Sequence, residues 1–193
     1  MSDKAALRRH LLDTRRRLTP EQRLSASLAL ADHALALPEL ASAETVAAYL
    51  SVGAEPGTRA LVHSLHARGV RVLLPVLLAD NDLDWAPYAG PEHLVPAGRG
   101  LLEPDGERLG PNAVTAADAV LLPGLAVDGH GMRLGRGGGS YDRVLARLTA
   151  SGASPALVVL LYANEVVARV PVEPHDHPVQ AVVTPDGVRR FGA

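Results

Sequence analysis

Apolar positions along this chain switch repeatedly between helical and strand spacing. Leu7, Leu11, Leu12 and Leu18 recur at helical intervals behind Asp3, a residue that can cap a helix start, so residues 3–17 predict a helix. Thr19-Pro20-Glu21-Gln22 opens a second helix. Thr19 fits the N-cap, Pro20 the first turn, and Gln22 closes a capping box; the helix should run to about Leu35, before Pro38. The pattern then shortens. Residues 45–50 are β-like, 58–68 helical with Gly69 placed to end them, and 70–75 β-like again. A short segment over 83–88, a buried strand over 119–122, a helix from about 141 to 150, and strands over 156–161 and 180–183 complete the prediction. Residues 89–117 are rich in Pro and Gly and read as loop.

Strands alternating with helices predict an α/β layered fold with a largely parallel sheet. Ligands of such sheets bind beyond the carboxyl ends of the strands. The segment after 119–122, and Glu55 after 45–50, should therefore lie on the functional edge. Neither an internal repeat nor a clear linker divides the chain. We expect a single domain over 1–193, with helices from about 3 to 36 packed on the α/β core.

Composition narrows the chemistry. Aromatic residues make up only 3% of the chain, so the core must be built from Leu, Val and Ala. Nineteen basic residues stand against 21 acidic ones, which removes the electrostatic argument for a general nucleic-acid binder. Arg8, Arg9, Arg15, Arg16 and Arg17 are nevertheless crowded near the N-terminus. The absence of cysteine excludes disulfides, thiolate catalysis and Cys-ligated metal centres. With a charged N-terminus and no apolar run of spanning length, the expectation is a cytoplasmic protein with no membrane partner. No large apolar stripe is left over for an interface, so a monomer is expected.

The chemistry concentrates in Arg133-Leu134-Gly135-Arg136-Gly137-Gly138-Gly139-Ser140-Tyr141-Asp142-Arg143, at the start of a predicted helix. Glycines let backbone amides converge, a helix start adds unpaired N–H groups, and arginines add permanent charge: together, a phosphate cradle. It is not a Walker P-loop, because no Gly-Lys-Ser/Thr closes it. Nor does it match a dinucleotide fingerprint, since Ser140 stands where the last Gly or Ala belongs. Asp142 has two readings, as an acid favouring the helix dipole or as a magnesium ligand beside bound phosphates. Lys4 and Arg8 share a helix face, either as solvated charges or as ligands, and Glu55 is a loop carboxylate with the same two readings. His175-Asp176-His177 looks like a metal cluster, but adjacent residues rarely converge on one ion; zinc is disfavoured, and Asp176 as a magnesium ligand is the better reading. His63 and His66 read as ordinary helix residues.

These motifs resemble the 5-formyltetrahydrofolate cyclo-ligase family, also called methenyltetrahydrofolate synthetases. The resemblance is carried by Leu122-Pro123-Gly124-Leu125-Ala126-Val127-Asp128 and by Gly131-Met132-Arg133 through Asp142-Arg143. Lys4-Ala5-Ala6-Leu7-Arg8, Tyr49-Leu50-Ser51-Val52-Gly53-Ala54-Glu55, Leu101-Leu102-Glu103-Pro104 and Pro174-His175-Asp176-His177-Pro178 agree in order along the chain. Three positions depart from the family pattern: Ser140 for the first of two tyrosines, Val127 for Phe, and Gln180 for an acid. The resemblance implies a three-layer α/β/α sandwich and a small-molecule enzyme with reduced folate and ATP as substrates and Mg2+ as cofactor. It implies ATP-dependent ring closure of 5-formyltetrahydrofolate to 5,10-methenyltetrahydrofolate, with release of ADP and phosphate. In this chain it implies that Lys4, Arg8, Arg133, Leu134, Gly135, Arg136, Gly137, Gly138, Gly139, Ser140, Tyr141 and Asp142 bind ATP. Arg133 and Arg136 would neutralise charge during transfer, and Asp142 and Asp176 would organise magnesium. Val52, Glu55, Trp85 and Tyr141 would contact the folate. Two alternatives stay open: a non-catalytic nucleotide- or folate-binding paralogue, and an ATP-dependent ligase acting on another small amide.

Overall fold

The computed structural model describes residues 3–192; Met1, Ser2 and Ala193, the ends of the expected domain, lie outside the described residues. Three helices come first: α1 (Asp3–Arg16), α2 (Pro20–Leu35) and the single turn α3 (Pro38–Ala41). The capping box at the start of α2 is formed. Thr19 Oγ1 accepts the Gln22 N–H at 3.2 Å, and Gln22 Oε1 accepts the Thr19 N–H at 2.9 Å. Such a cap stabilises a helix by about 1 kcal/mol. The α/β core follows as β1 (Thr45–Ala47), α4 (Arg59–Ala67), β2 (Arg71–Leu77), β3 (Leu83–Pro87), a hairpin of β4 (Leu94–Pro96) and β5 (Leu102–Pro104), and β6 (Ala119–Leu122). A second small hairpin, β7 (Ala126–Val127) with β8 (Arg133–Leu134), leads to α5 (Ser140–Ser151), β9 (Ala156–Leu160), β10 (Ala181–Thr184) and β11 (Gly187–Arg190).

Seven strands form the central sheet in the order β11-β10-β9-β6-β1-β2-β3. The inner five are parallel; β3 and β11 close the edges antiparallel. Strand alternation sends Val46 and Ala48 to one face with α2 and α4, where Leu30, Leu61, Leu65 and Leu121 fill a core. Ala47 faces the other side, among Val120, Leu122, Val144, Leu145 and Leu148, the last three from α5. The result is the expected three-layer α/β/α arrangement. Helix α1 covers a third cluster at the small β7–β8 hairpin, with Leu11 against Leu125, Leu134 and Val170. No helix among the described residues is long and apolar enough to cross a membrane.

The structure corrects three expectations. The β1 ladder ends at Ala47 rather than at residue 50. Beyond it Thr58 replaces a neighbouring strand: its hydroxyl donates to the Tyr49 carbonyl at 2.6 Å and accepts the Ser51 N–H at 2.9 Å. Residues 89–117 are not plain loop but carry β4 and β5, whose three-residue strands are too short to show alternation among the surrounding Pro and Gly. The two-residue pair β7–β8 is missed for the same reason, and the edge strand β11 because Gly187–Arg190 is mostly exposed and carries no apolar run.

Helix α5 is tied to the β2–β3 turn by a bidentate pair: Arg147 donates to both Asp82 oxygens, at 3.1 and 2.6 Å. The Arg147 hydrogen bond holds the Asp82 carboxyl below its ordinary value. A depressed folded-state pKa adds stability that is complete above the unfolded value, about 3.9, and is lost as pH falls through the lower folded value. Asp82→Asn should therefore be less stable than wild type at neutral pH, and the gap should close on acidification below about pH 3.9. Urea midpoints of both proteins across that range test this; a gap that persists unchanged in acid refutes it.

Candidate active site

The five parallel strands run β2-β1-β6-β9-β10 in space, so chain connections depart in opposite directions from β1 and β6. A crevice opens between the carboxyl ends of such a pair. A cavity of about 300 Å³ lies there, lined by Tyr49, Leu50 and Val52 after β1 and by Pro123 after β6. Residues 135–139 and the first turn of α5 supply a polar wall; Leu77, Leu83, Leu101 and Leu102 supply an apolar one.

The glycine loop needs its glycines. Gly137 and Gly139 have φ of 98° and 78°, the left-handed region that other residues rarely adopt. Gly139 is the N-cap of α5 and offers no side chain to cap it. The first turn of α5, Ser140, Tyr141 and Asp142, lines the cavity and has no side-chain cap for its N–H groups, which favours an anion there. From α1, Arg8 braces the loop: its Nε donates to the Gly135 carbonyl at 2.8 Å. The Arg8 guanidinium carbon lies 3.5 Å from where a Cβ on Gly137 would stand.

Arg133 is almost entirely buried, with 5% of its side chain exposed. Its Nη1 donates to the Pro123 carbonyl at 2.9 Å and its Nη2 to Asp142 Oδ1 at 3.1 Å, while Nε is buried with no partner. Burial pushes the guanidinium below its ordinary pKa, and Asp142 opposes that shift. An arginine stays protonated in any case. A buried N–H without an acceptor is costly, and the cation's carboxylate partner, Asp142, is itself half exposed. Arg136 is half exposed, and its Nη1 meets Glu55 Oε1 at 3.1 Å. The other Glu55 oxygen accepts the Val52 N–H at 2.8 Å, so the carboxylate is held in place at the cavity wall. Tyr49 and Tyr141 meet edge to face, with ring centroids 6.5 Å apart. Burial first, and the Glu55 charge second, raise both phenols, so they remain neutral donors.

Other expected residues are placed elsewhere. Lys4 does not line the cavity; its Nζ lies 2.8 Å from Glu173 and 3.0 Å from Asp176, fastening α1 to the segment before β10. Burial works against the Lys4 charge, yet the hydrogen bonds to both carboxylates raise its pKa overall. Arg8 acts on the loop from outside the lining. Leu134 does not line the cavity either: its side chain is buried in a cluster with Leu11 and Leu125, and its carbonyl accepts the Leu125 N–H at 2.7 Å. Trp85 is no wall of the cavity. It pairs with the lining residue Pro75 and shares a face of β3 with Leu83, but it is fully buried in the core with Val114, Val144 and Leu148. The charges of both Asp142 and Asp176 act on Arg133. Among the described residues one cluster of three potential metal ligands occurs, Glu173, His175 and Asp176, and the Lys4 ammonium pairs with both of its carboxylates.

Several contributors were not legible beforehand. Tyr49, Leu101 and Leu102 join the lining because Thr58 bends the chain after β1 and because the β4–β5 hairpin folds over. Glu103 Oε1 accepts the Leu77 N–H at 3.0 Å and pins that hairpin to β2. Buried Asp128 holds the turn before the glycine loop, accepting N–H groups of His130 at 2.9 Å, Met132 at 3.1 Å and Val170 at 3.0 Å. Arg15, one of the crowded N-terminal arginines, turns inward. It donates to Glu165 at 2.7 and 2.9 Å and to the Gly124 carbonyl at 2.6 Å. One signal did exist: Arg15 follows Leu11 by four residues and so continues the apolar stripe of α1.

Comparison with known proteins agrees with this architecture. The model of the 5-formyltetrahydrofolate cyclo-ligase family matches residues 1–185. The 5-formyltetrahydrofolate cyclo-ligase of Mycolicibacterium smegmatis is 42% identical over 151 residues, covering 75% of each chain. Its counterpart from Escherichia coli K12 is 35% identical over 176 residues, 90% of this chain and 96% of that one. The solved structure of Aquifex aeolicus 5,10-methenyltetrahydrofolate synthetase superposes with a TM-score of 0.83 at 30% identity, over 98% of this chain and 93% of the other. With a switch-point cavity joining a glycine loop to an apolar wall, and a family match over nearly its whole length, the chain belongs to the 5-formyltetrahydrofolate cyclo-ligase family.

Proposed function

We propose that this protein closes the ring of 5-formyltetrahydrofolate with ATP, giving 5,10-methenyltetrahydrofolate, ADP and phosphate. The observation that carries the reading is the joining of two unlike halves in one cavity. A helix start with the buried, under-partnered Arg133 stands beside a carboxylate and an apolar wall. An anion and a flat, polar-edged body can meet there.

A formyl group on nitrogen is a poor electrophile, and its oxygen is a poor leaving group. In the proposed reaction the formyl oxygen attacks the γ-phosphorus of ATP. An O–P bond forms, the bond to the β-phosphate oxygen breaks, and ADP departs. The resulting iminium carbon accepts the N10 electron pair, the C–O bond breaks to release phosphate, and N10 loses its proton. Phosphoryl transfer of this kind depends on positioning and charge neutralisation rather than on a protein nucleophile. Amides of residues 135–140 would cradle the phosphates while Arg133 and Arg136 meet the charge that develops on the transferring group. Glu55 would receive the polar edge of the pterin, between Val52 and Tyr141. Lys4 and Arg8 would hold the loop and the C-terminal segment in place.

Magnesium fits at Asp142. That carboxylate is half exposed at the loop, and Arg133 engages one of its oxygens. Mg2+ binds through one or two carboxylates plus phosphate oxygens, where it neutralises phosphate charge. Asp176 is the second candidate: Lys4 and the Glu173 N–H engage its Oδ2 and leave Oδ1 without a hydrogen bond among the described residues.

Purified protein with Mg-ATP should convert 5-formyltetrahydrofolate to a product with methenyl absorbance, with stoichiometric ADP and phosphate. Binding of both ligands without turnover would point instead to a non-catalytic paralogue. Phosphate release only with some other amide would reassign the substrate.

A further inference from the structure

Three arginines line the cavity: Arg99, Arg133 and Arg136. Arg133 is paired with Asp142 and Arg136 with Glu55. Arg99 has no carboxylate partner among the described residues. Its one hydrogen bond is long and neutral, from Nη1 to the Asn81 side-chain oxygen at 3.3 Å.

The backbone beneath Arg99 is unusual as well. Its φ and ψ are 61° and 25°, in the left-handed region, between Gly98 and Gly100. Asn81, its partner, has φ of 68°; these two are the only positive-φ residues other than glycine among the described residues. Glycine would take such a conformation without penalty, whereas a residue with a Cβ pays roughly 1–2 kcal/mol. Strain of this kind persists where the side chain is needed, and it clusters at ligand clamps.

Position supplies the ligand. Arg99 lies on the loop joining β4 to β5, next to the β2–β3 turn that holds Asn81, whereas the glycine loop follows β6 and β8. Leu77, Leu83, Leu101 and Leu102 line the cavity together with Arg99. A reduced folate has a matching order of chemistry: a reactive formyl on the pterin, an aminobenzoyl body, and a dicarboxylate glutamate tail. Resting on the cyclo-ligase reading above, we propose that Arg99 is the clamp for the glutamate carboxylates of the substrate. The strained Gly-Arg-Gly loop brings the guanidinium to the cavity on a different segment from the phosphate cradle. A guanidinium without a competing acid, forked for two oxygens, suits a carboxylate.

The test is Arg99→Gly, which removes the side chain and also relieves the backbone, so the variant should be at least as stable as wild type. KM for 5-formyltetrahydrofolate should rise about tenfold or more, the usual worth of a charged hydrogen bond. The turnover number should stay within about twofold and KM for ATP should not move, because the interaction is the same in ground and transition states. Wild type assayed with the glutamate dimethyl ester of the substrate should show the same loss, and Arg99→Gly should add nothing to it. Equal KM values for wild type and variant on the free acid overturn the proposal, as does a rise confined to ATP. Calorimetric titration of 5-formyltetrahydrofolate without ATP separates this from the catalytic reading: weaker binding by the variant supports the clamp even where turnover is absent, and unchanged binding refutes it even where turnover is normal.

Discussion

Replacing Arg136 by alanine should lower turnover by roughly 10²–10³-fold, the usual cost of removing one charged donor from a transferring group. The fold should barely notice. Arg136 is half exposed, and its pairing with Glu55 is of the surface kind that contributes about 0–1 kcal/mol. Glu55 keeps its hydrogen bond from the Val52 N–H when the arginine leaves, so the folate side of the cavity should survive. The kinetic pattern is diagnostic. If Arg136 acts on developing charge, kcat and kcat/KM fall together; if it merely holds ATP, KM for ATP rises at constant kcat. Thermal melting run beside the assay separates lost chemistry from lost structure. Arg133 cannot give so clean an answer, because it is buried and binds the Pro123 carbonyl, and its removal would also loosen the loop.

Arg15→Met should cost about 3–5 kcal/mol of stability, the penalty for leaving one member of a buried ion pair alone. Arg15 and Glu165 are 2% and 1% exposed and share two hydrogen bonds. Burial works against both charges and by itself raises the Glu165 carboxyl, while the bidentate contact keeps Arg15 charged. Removing the arginine leaves a buried carboxylate with the Tyr162 N–H as its remaining support, at 2.9 Å. It also frees the Gly124 carbonyl, next to the cavity residue Pro123. For a chain of this size the loss corresponds to roughly 6–20 °C in melting temperature. The double variant Arg15→Met/Glu165→Leu should recover much of that, since apolar replacement of a whole buried pair is often neutral or better. A double variant as unstable as the single one would show that the damage lies in the Gly124 contact or in packing.

The two arginines mark where sequence reading succeeds and where it stops. Arg136 is flanked by Gly135, Gly137, Gly138 and Gly139 and stands just ahead of a helix, so its neighbours alone suggest phosphate chemistry. Arg15 lies among Arg16 and Arg17 and reads as one more surface charge. Its partner Glu165 is 150 residues away and carries no local sign of the pairing. Trp85 errs in the opposite direction. A lone tryptophan invites a ligand-binding reading, but Trp85 is buried in a core cluster with Val114 and Val144 from segments far along the chain.

Local physics therefore settled the helices, the parallel strands, the layered class and the glycine loop. Periodicity, capping and glycine conformations act over a few residues and are written in the order of the chain. Tertiary structure alone decided which side chains meet across that distance. It sent Lys4 to Asp176 rather than to the cavity, folded the β4–β5 hairpin so that Leu101 and Leu102 became a wall, and left Arg99 beside it without an acid. Those outcomes depend on the packing of segments far apart in sequence, where burial and pairing, not local propensity, choose the partner.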